Sequence, residues 1–481
     1  MEQRELELVM DLYELTMSNG YFLENKINQK AIFDMFYRNN PDNGGYVVFT
    51  GLEDLIDYIL NLKFNDSDIN YLKSLNMFDD KFLEFLKDFK FEGDITSFEE
   101  GSIVYPNEPL ITVKGRLIEC QLIETALLLI INHESLIATK TNRIVLASKG
   151  RSVSDFGARR AHNVDAAVKG AKASFIGGAS STATVLAGKL YNIPVSGTMA
   201  HSWIMSFKSE YEAFLTYAKI YPNNCILLID TYDTIHSGIK NAIKVYNDYL
   251  KINGYSLKGI RIDSGDLTYL SKKIRKILDE NNLKDTKIIV SNALDEYKIQ
   301  SLLDQGSEID SFGVGENLIT SASSPVLGGV YKIAAIEEDG VFIPKIKISS
   351  SIEKITNPGE KEVYRVYDSL NKSVADLISL KDEKLDFNSL EYIDIKKPWK
   401  NRKFDNNFKI VKIRKEIFKN GKLVYKVPSI IERRNYVRNQ VNNELWDAEK
   451  RFVYPHEHYL DFTKKYYDLK MKLIEENKFD E

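Results

Sequence analysis

The most regular feature of this chain is the alternation of short apolar runs with polar segments between residues 152 and 335. Two of the runs, 225–229 and 287–290, are rich in the β-branched and apolar residues that buried strands favour. Helix-like stretches follow most of the runs, and strands that alternate with helices over short links are the mark of parallel βα units. The pattern therefore predicts a parallel α/β unit in this part of the chain.

The sequence on either side of this region predicts a mixed α/β structure. Residues 1–25 carry apolar side chains at helical spacing, so we expect a helix whose apolar face packs in the core. The residues of that face are Leu6, Val9, Met10, Tyr13 and Met17. Other helices are predicted at 52–62, 81–89, 117–148, 430–452 and 460–476, and strands at 31–38, 46–50, 91–113, 193–195, 329–336 and 342–349.

Polar or glycine-containing segments end the apolar runs of the central region. In a β/α barrel, polar residues at the carboxyl ends of the strands build the active site. Arginines, acids, a histidine and several glycines would meet there, and this combination indicates an anionic, phosphate-bearing ligand. The segments are 155–160, 197–202, 229–231, 261–266, 291–292 and 313–315.

Composition excludes several classes of protein. The chain has 481 residues, enough for two or three domains, and its net charge of −4 argues against nucleic-acid binding by bulk electrostatics. Cys120 and Cys225 lie in apolar runs, so we expect buried thiols, no disulfide and no structural zinc. The acidic start does not resemble a signal peptide, and we expect a cytoplasmic protein that does not bind membranes.

His201 is the first candidate for chemistry. A lone histidine is more often a satisfied structural residue than a nucleophile, but His201 follows a predicted strand and a Gly197-Thr198 turn whose amides are free to face an anion. A phosphoryl group on His201 would meet donors already in place.

Arg261 and Asp263 are the second candidate pair. Arginine binds carboxylates and phosphates bidentately, and Asp263 could stabilise cationic character or hold a sugar hydroxyl or Mg²⁺. The simpler interpretation is an ion pair beside a helix cap. We expect a cap only at Asp266.

Glycines and an aromatic side chain complete the set. Gly313 and Gly315 would allow a phosphate to approach the backbone, but the spacing is not that of a dinucleotide-binding loop. Phe156 offers a ring face to a planar heterocycle, and Arg159 offers a charge; in isolation, a core Phe and a surface Arg would be the default interpretation.

Taken together, these segments resemble nicotinate phosphoribosyltransferase over about the first three quarters of the chain. Each motif is modest alone, and their shared order makes the joint signal strong. The matching segments are Asp11 to Met17, Phe156-Gly157-x-Arg159-Arg160, Gly197-Thr198-x-Ala200-His201-Ser202, Arg261-x-Asp263-Ser264-Gly265-Asp266, and Gly313-x-Gly315 through Gly328-Gly329-Val330-Tyr331-Lys332.

The resemblance implies an irregular α/β barrel of the type II phosphoribosyltransferase kind, joined to an α/β sandwich domain built from both chain ends. We expect the sandwich domain to take residues 1–116, the barrel 117–335, and the part that completes the sandwich and adds a helical extension 336–481. The implied reaction joins nicotinate to phosphoribosyl pyrophosphate, gives nicotinate mononucleotide and pyrophosphate, and is coupled to ATP hydrolysis with Mg²⁺. Such an enzyme would serve NAD salvage as a homodimer with shared active sites.

The resemblance also implies roles for single residues. His201 matches the family's phosphorylated histidine, and Asp263 matches an acid near the ribose. Tyr13, from a neighbouring subunit, and Phe156 match the aromatics around the pyridine ring. Contacts to nicotinate and phosphate are implied for Arg159, Thr198 and Arg261, the phosphate site for Gly313, Gly315, Thr320, Gly328 and Gly329, and a metal contact for Asp230.

The substrate is predicted from the absence of an acid between residues 177 and 188. A nicotinamide enzyme would place an acid against the carboxamide, whereas hydroxyl groups tolerate a carboxylate, which favours nicotinate. The alternatives are transfer to nicotinamide or quinolinate and a catalytically silent relative that keeps the pocket. A Schiff-base aldolase is disfavoured because no lysine lies at the strand ends.

Overall fold

The computed structural model describes residues 6–351, 354–386, 391–395, 397–399, 401–402, 404 and 407–477. The chain forms two compact units. The first contains Met1–Leu136 and Val326–Glu481, and the second contains Ile137–Pro325.

Helices and strands alternate along much of the chain. The helices are α1 Leu12–Leu23, α2 Leu52–Asn61, α3 Asp66–Ser74, α4 Asp80–Lys87, α5 Leu117–Gln121, α6 Glu124–Ala147, α7 Val164–Gly177, α8 Val185–Tyr191, α9 His201–Met205, α10 Glu210–Ile220, α11 Ile239–Val245, α12 Leu267–Glu280, α13 Glu296–Asp304, α14 Glu316–Ile319, α15 Ile430–Asn439 and α16 Lys464–Glu476. The strands are β1 Lys30–Phe36, β2 Val47–Val48, β3 Asp94–Phe98, β4 Ile103–Val104, β5 Ile111–Arg116, β6 Ser152–Asp155, β7 Ser181–Thr182, β8 Ile226–Leu228, β9 Gly259–Ile262, β10 Lys287–Ser291, β11 Ser311–Val314, β12 Val330–Glu338, β13 Val341–Pro344, β14 Lys361–Tyr367, β15 Ser373–Leu380, β16 Tyr392–Asp394, β17 Asn401–Arg402, β18 Lys409–Lys412, β19 Arg414–Lys419, β20 Lys422–Leu423 and β21 Tyr459–Thr463.

The first unit contains strands from both ends of the chain. Its seven-stranded sheet has the order β13-β12-β1-β5-β3-β19-β20, and its six-stranded sheet has the order β17-β16-β21-β15-β14-β18. β19 pairs with β3, and β12 pairs with β1, so late and early segments complete one sheet. This arrangement agrees with the mixed α/β fold that the sequence predicts.

The unit boundaries differ from the expected ones at 116/117 and 335/336. Residues 117–136 belong to the first unit because Ile118, Leu122 and Leu127 are buried in its core. Val330–Glu338 belongs there as well, because β12 is hydrogen-bonded to β1. The chain therefore leaves the first unit within α6 and returns to it before β12.

Helix α1 contradicts the predicted packing of residues 1–25. The helix begins only at Leu12, and it buries Glu14, Leu15 and Ser18. Tyr13 and Met17, which we expected in the core, are exposed. The polar face is turned inward because the Glu14 carboxylate accepts hydrogen bonds from the amide and the hydroxyl of Thr125.

The end of the chain departs from its predicted helices. The helix expected at 430–452 is α15 followed by a π-helical turn that ends at Glu444. Residues 460–463, expected to begin a helix, belong to β21, which lies between β15 and β16, and α16 begins only at Lys464. Pairing with two neighbouring strands overrides the local preference here. The apolar periodicity of the sequence also did not predict helix α3, Asp66–Ser74.

A helical segment from Leu117 to Ala147 is long and apolar enough, by length and composition alone, to cross a membrane. However, 67% of its most apolar window is buried inside the protein, as expected for a core helix. Cys120 and Cys225 are buried free thiols, as the sequence predicts.

The second unit, in which every residue is described, is built on a parallel sheet. Its six strands have the order β7-β6-β11-β10-β9-β8. No hydrogen bonds join β7 to β8 within this unit, so the closed barrel is not confirmed. The strand expected at 193–195 is reduced to a single bridge between Val195 and Thr182.

Candidate active site

The parallel register brings the predicted strand-end residues to one edge of the second unit's sheet. Ser154 of β6 is level with Gly313 of β11, which is level with Ser291 of β10. On β9, Ile262 is level with Val290 of β10, so Asp263 follows at the level of Ser291. Because all six strands run in one direction, the residues that follow them share this edge.

Asp230, which follows β8, connects two parts of the site. Its Oδ1 lies 3.2 Å from His201 Nε2. Its Oδ2 accepts hydrogen bonds from the Asp263 amide at 2.8 Å and from the Ser264 hydroxyl at 2.6 Å. The Asp230 side chain is only 1% exposed, whereas that of His201 is 40% exposed. The buried carboxylate therefore orients an accessible imidazole and the loop after β9.

A metal contact for Asp230 stays a prediction. Both of its oxygens already accept hydrogen bonds, which favours an orienting role. In the described parts of the chain, no group of three or more His, Cys, Asp and Glu side chains is arranged to hold a metal ion.

Arg261 and Asp263 form a partly buried pair at the end of β9. Arg261 Nη2 lies 3.3 Å from Asp263 Oδ1, and Arg261 Nη1 lies 3.5 Å from the carbonyl oxygen of Met199. Burial alone would raise the pKa of Asp263, but the Ser291 hydroxyl, Arg261 and His201 outweigh it and lower that pKa. Asp263 is therefore held in its ionised form beside a guanidinium group.

Phe156 is held in place by the neighbouring strand β11. Its amide donates to the Val314 carbonyl at 2.8 Å, and its ring packs so closely on Gly313 that an added Cβ there would lie 2.4 Å from the ring. The guanidinium carbon of Arg261 lies 5.5 Å from the centre of the Phe156 ring. One ring thus contacts a glycine on β11 and faces a cation on β9.

Asp155, buried at the end of β6, shapes the turn that carries Phe156. Its two carboxylate oxygens accept hydrogen bonds from the Gly157 amide at 2.8 Å and the Thr182 hydroxyl at 2.7 Å. Burial raises the pKa of Asp155, although these two donors oppose the shift. The hydrogen bonds of this carboxylate therefore stabilise the turn and its contact with β7.

The other predicted contacts of the second unit surround this group. Arg159 is exposed and makes no hydrogen bond or ion pair with any described residue. Thr198 lies half-buried in the loop before His201, next to the Met199 carbonyl that Arg261 approaches. Arg159 is therefore available for a ligand, whereas the Thr198 hydroxyl already donates a long hydrogen bond of 3.5 Å to the Met199 carbonyl.

The predicted phosphate-binding residues divide into two groups. Thr320 lines an open cleft of about 450 Å³, whereas Gly313 lies within β11 and has a packing role under Phe156. Gly315 follows the strand, where an added Cβ would lie 3.2 Å from the Phe156 carbonyl oxygen. The cleft is lined by Arg160, His162, Glu316, Thr320, Ala322 and Pro325.

Tyr13, Gly328 and Gly329 belong to the first unit, and their assigned roles stay predictions. Burial and the nearby carboxylate of Glu124 raise the pKa of Tyr13. The Gly329 amide donates to Asn132 Oδ1 at 3.0 Å, and an added Cβ would lie 2.3 Å from that oxygen. Close packing is therefore sufficient to explain a glycine at 329.

The sequence places Ser181 and Ser291 in candidate segments, but it does not predict the hydrogen bonds that the hydroxyl groups of the sheet make. Ser154, Ser181 and Ser196 form a chain with Oγ–Oγ distances of 2.8 and 2.7 Å. Ser291 contacts Arg261 Nε at 3.0 Å and Asp263. The sequence could have indicated these hydroxyl groups because the serines lie next to other strand ends. Serine is common in turns, however, so its presence alone is weak evidence for a functional role.

Comparison with known proteins covers nearly the whole chain. The model of the nicotinate phosphoribosyltransferase N-terminal domain matches residues 8–132, that of the family matches 151–371, and that of the C-terminal domain matches 360–470. The similarity thus extends past the first three quarters of the chain.

Individual relatives agree with this result. Nicotinate phosphoribosyltransferase of Bacillus subtilis is 44% identical over 98% of this chain and 96% of its own length, and that of Caenorhabditis elegans is 34% identical over 96% and 92%. The crystal structure of human nicotinic acid phosphoribosyltransferase superposes with a TM-score of 0.85 at 26% identity, covering 97% of this chain and 100% of the human one. A nicotinate-nucleotide pyrophosphorylase from Pyrococcus furiosus, with a TM-score of 0.70 at 24% identity over 92% and 97%, shows the fold alone. Sequence, site and structure therefore agree that this chain belongs to the nicotinate phosphoribosyltransferase family.

Proposed function

We propose that this protein transfers the phosphoribosyl group of phosphoribosyl pyrophosphate to nicotinate, giving nicotinate mononucleotide and pyrophosphate for NAD synthesis by salvage. The observation that carries the proposal is the linked group of His201, Asp230, Asp263 and Arg261 beside Phe156 at the strand ends. Membership of the family supports the same reaction.

The chemistry fits the charges of these side chains. The pyridine nitrogen attacks the anomeric carbon, the bond from that carbon to pyrophosphate breaks, and positive charge develops on the ribose. An ionised Asp263 next to the ribose stabilises this charge. Phe156 holds the pyridine ring, and Arg261 pairs with a carboxylate or phosphate oxygen.

The Asp263 carboxylate and the pyrophosphate of the substrate together offer the oxygen ligands that Mg²⁺ prefers. Mg²⁺ is commonly bound by one or two carboxylates together with substrate phosphates, so a large protein cage is not needed. Asp263, partly exposed, is the carboxylate that would share the ion with the pyrophosphate. When bound, the ion neutralises charge that builds up on the departing pyrophosphate.

ATP coupling is assigned to His201. Asp230 lies at Nε2 and favours the tautomer with the proton there, which leaves the lone pair of Nδ1 as the nucleophile. Nδ1 attacks the γ-phosphorus of ATP and ADP leaves; water then cleaves the phosphohistidine to phosphate. The added negative charge forms next to Asp230, Asp263 and Arg261, where it can change the affinity for pyrophosphate.

The preference for nicotinate is supported by the hydroxyl groups at the ends of β6 and β7 and in the loop after Val195. Ser154, Ser181 and Ser196 are neutral donors, and the nearby Asp155 is already paired with Thr182 and Gly157. Residues 177–188 contain no acidic side chain that would repel a carboxylate. Nicotinate is therefore favoured over nicotinamide, and quinolinate, with a second carboxylate, would require more positive charge.

We also propose a homodimer in which Tyr13 completes a neighbouring subunit's site. Leu12, Tyr13 and Met17 of α1 are exposed, and such an apolar surface is typical of a protein–protein contact.

The decisive experiment measures labelled nicotinate mononucleotide from nicotinate and phosphoribosyl pyrophosphate, with and without ATP, and acid-labile label on the protein from γ-labelled ATP. The expected results are product formation that ATP stimulates and label on His201 that is absent from His201→Ala. Greater kcat/KM on nicotinamide or quinolinate would reject the substrate assignment. Product formation without any ATP effect would reject the coupling.

A further inference from the structure

Ser291 contacts both charged side chains of the adjacent strand β9. Its hydroxyl accepts a hydrogen bond from Arg261 Nε at 3.0 Å and donates one to Asp263 Oδ1. The serine is buried, so water does not compete for these bonds. A single hydroxyl group therefore sets the spacing between a guanidinium group and a carboxylate.

The turn after Ser291 has an unfavourable backbone at two successive residues that are not glycine. The φ angles are 130° at Asn292 and 45° at Ala293, a region that L side chains rarely adopt. Such conformations persist only where the surroundings determine them, and they cluster at functional sites. The turn is thus a place where fixed geometry is maintained against local preference.

Two side chains hold the strained turn from outside. The Ala293 carbonyl accepts hydrogen bonds from Lys298 Nζ at 2.7 Å and from Asn317 Nδ2 at 3.0 Å. Asn317 Nδ2 also lies 3.2 Å from the Leu294 carbonyl. Asn317 belongs to α14, so the turn after β10 is fixed to the helix that follows β11.

We propose that Ser291 is a positioning residue for phosphoribosyl transfer, whose hydroxyl fixes Arg261 and Asp263 relative to each other while Asn317 and Lys298 fix the turn that carries it. The inference rests on the proposed function, because it takes Arg261 and Asp263 to contact the substrates. Ser291 itself acts through these two residues.

The two hydrogen bonds of Ser291 give the idea a specific readout. The hydroxyl contacts both Arg261 and Asp263, so its removal leaves the two charged groups in place but no longer holds them at a fixed spacing. Misplaced groups cost orientation in the transition state, so kcat/KM falls, and a side chain that restores the hydroxyl restores the activity. A general loss of stability would instead lower the Tm and would not be rescued in this way.

The experiment compares Ser291→Ala and Ser291→Thr with the wild type. A hydrogen bond to a charged group is worth at least about tenfold, so kcat/KM of Ser291→Ala should fall by about tenfold or more. Ser291→Thr keeps the hydroxyl and should recover most of the lost kcat/KM. Asn317→Ala, which leaves Ser291, Arg261 and Asp263 intact, should lower kcat/KM by a smaller factor.

The matched control is Ser311→Ala at the opposite end of the neighbouring strand β11, where the hydroxyl donates to the Ser152 carbonyl. It should leave kcat/KM unchanged. Binding of phosphoribosyl pyrophosphate by the same variants is measured by calorimetry, which requires no turnover. A wild-type protein without activity on nicotinate, but with binding of phosphoribosyl pyrophosphate that weakens in Ser291→Ala and recovers in Ser291→Thr, would reject the proposed function and retain this role. Unchanged kcat/KM and unchanged binding in Ser291→Ala would overturn it.

Discussion

The ring of Phe156 lies against the backbone of Gly313 on the neighbouring strand, and a Cβ at that glycine would come within 2.4 Å of the ring. Glycine at 313 is therefore required by an aromatic side chain, and the phosphate contact that the sequence predicts for this residue stays a prediction. The contact also fixes the height of the ring above the sheet, next to Arg261.

Gly313→Ala should displace Phe156 and raise the KM for nicotinate by roughly tenfold, since a misplaced binding group costs orientation. Steady-state kinetics with nicotinate as the varied substrate give the measurement. Gly20→Ala is the matched control, because an added Cβ there meets nothing within 4 Å. An unchanged KM in Gly313→Ala would show that the ring does not hold the substrate.

Asp230→Asn should reduce the rate of phosphohistidine formation about 10- to 100-fold. A neutral carboxamide orients the imidazole less firmly than a carboxylate does, and it makes the ring a weaker nucleophile. Acid-labile label from γ-labelled ATP gives the rate. Asp233→Asn alters a similar Asp–His pair, with His236 at 3.1 Å, on the exposed surface and should have no effect. Equal rates in the wild type and Asp230→Asn would exclude activation through this carboxylate.

Tyr13→Ala should raise the KM for nicotinate with little loss of stability, because Tyr13 is exposed on α1. Kinetics are paired with sedimentation of the same sample, since the proposed role needs a second subunit. Full activity in a strictly monomeric protein would contradict the shared site. The control is Leu23→Ala, which removes another exposed apolar side chain of α1. It distinguishes a specific effect of the tyrosine from a general loss of apolar surface on this helix.

Glu14 should make the protein less stable as pH rises from about 5 to 8. Burial raises the pKa of Glu14 to about 7, although Thr125 opposes the shift. The folded state then binds more protons than the unfolded state between the ordinary pKa of a glutamate, about 4.3, and about 7, so stability falls as pH rises through this window.

Glu14→Gln cannot ionise and should lose less stability than the wild type between pH 5 and 8. Thermal denaturation at both pH values measures the difference. The control is Glu24→Gln, at the exposed end of the same helix. If the wild type and Glu14→Gln respond equally to pH, the buried carboxyl group is not the source.

The positions of the strand ends were predictable from the apolar runs. In a parallel sheet all strands run in one direction, so the residues that follow the buried runs lie at the same edge. This placed His201, Arg261, Asp263 and Phe156 near one another without any structure. The order of the strands was not predictable, because pairing depends on contacts between residues far apart in sequence.

The errors have physical causes too. The face of α1 was misassigned because Glu14 is buried by a specific bond to Thr125, and a periodicity of apolar residues cannot anticipate a buried acid. β21 was read as helix because its two partner strands lie far away in sequence. Ser291 was visible as a strand end, but only the register shows that its hydroxyl reaches the side chains of β9.

One carboxylate group, that of Asp230, is bonded at one oxygen to the imidazole and at the other to the backbone that carries Asp263. In the proposed reaction, a rotation of the ring on phosphorylation would therefore be transmitted through two hydrogen bonds to the backbone of Asp263. The proposed coupling of nucleotide cleavage to substrate affinity would then need shifts over a few ångströms within one sheet edge.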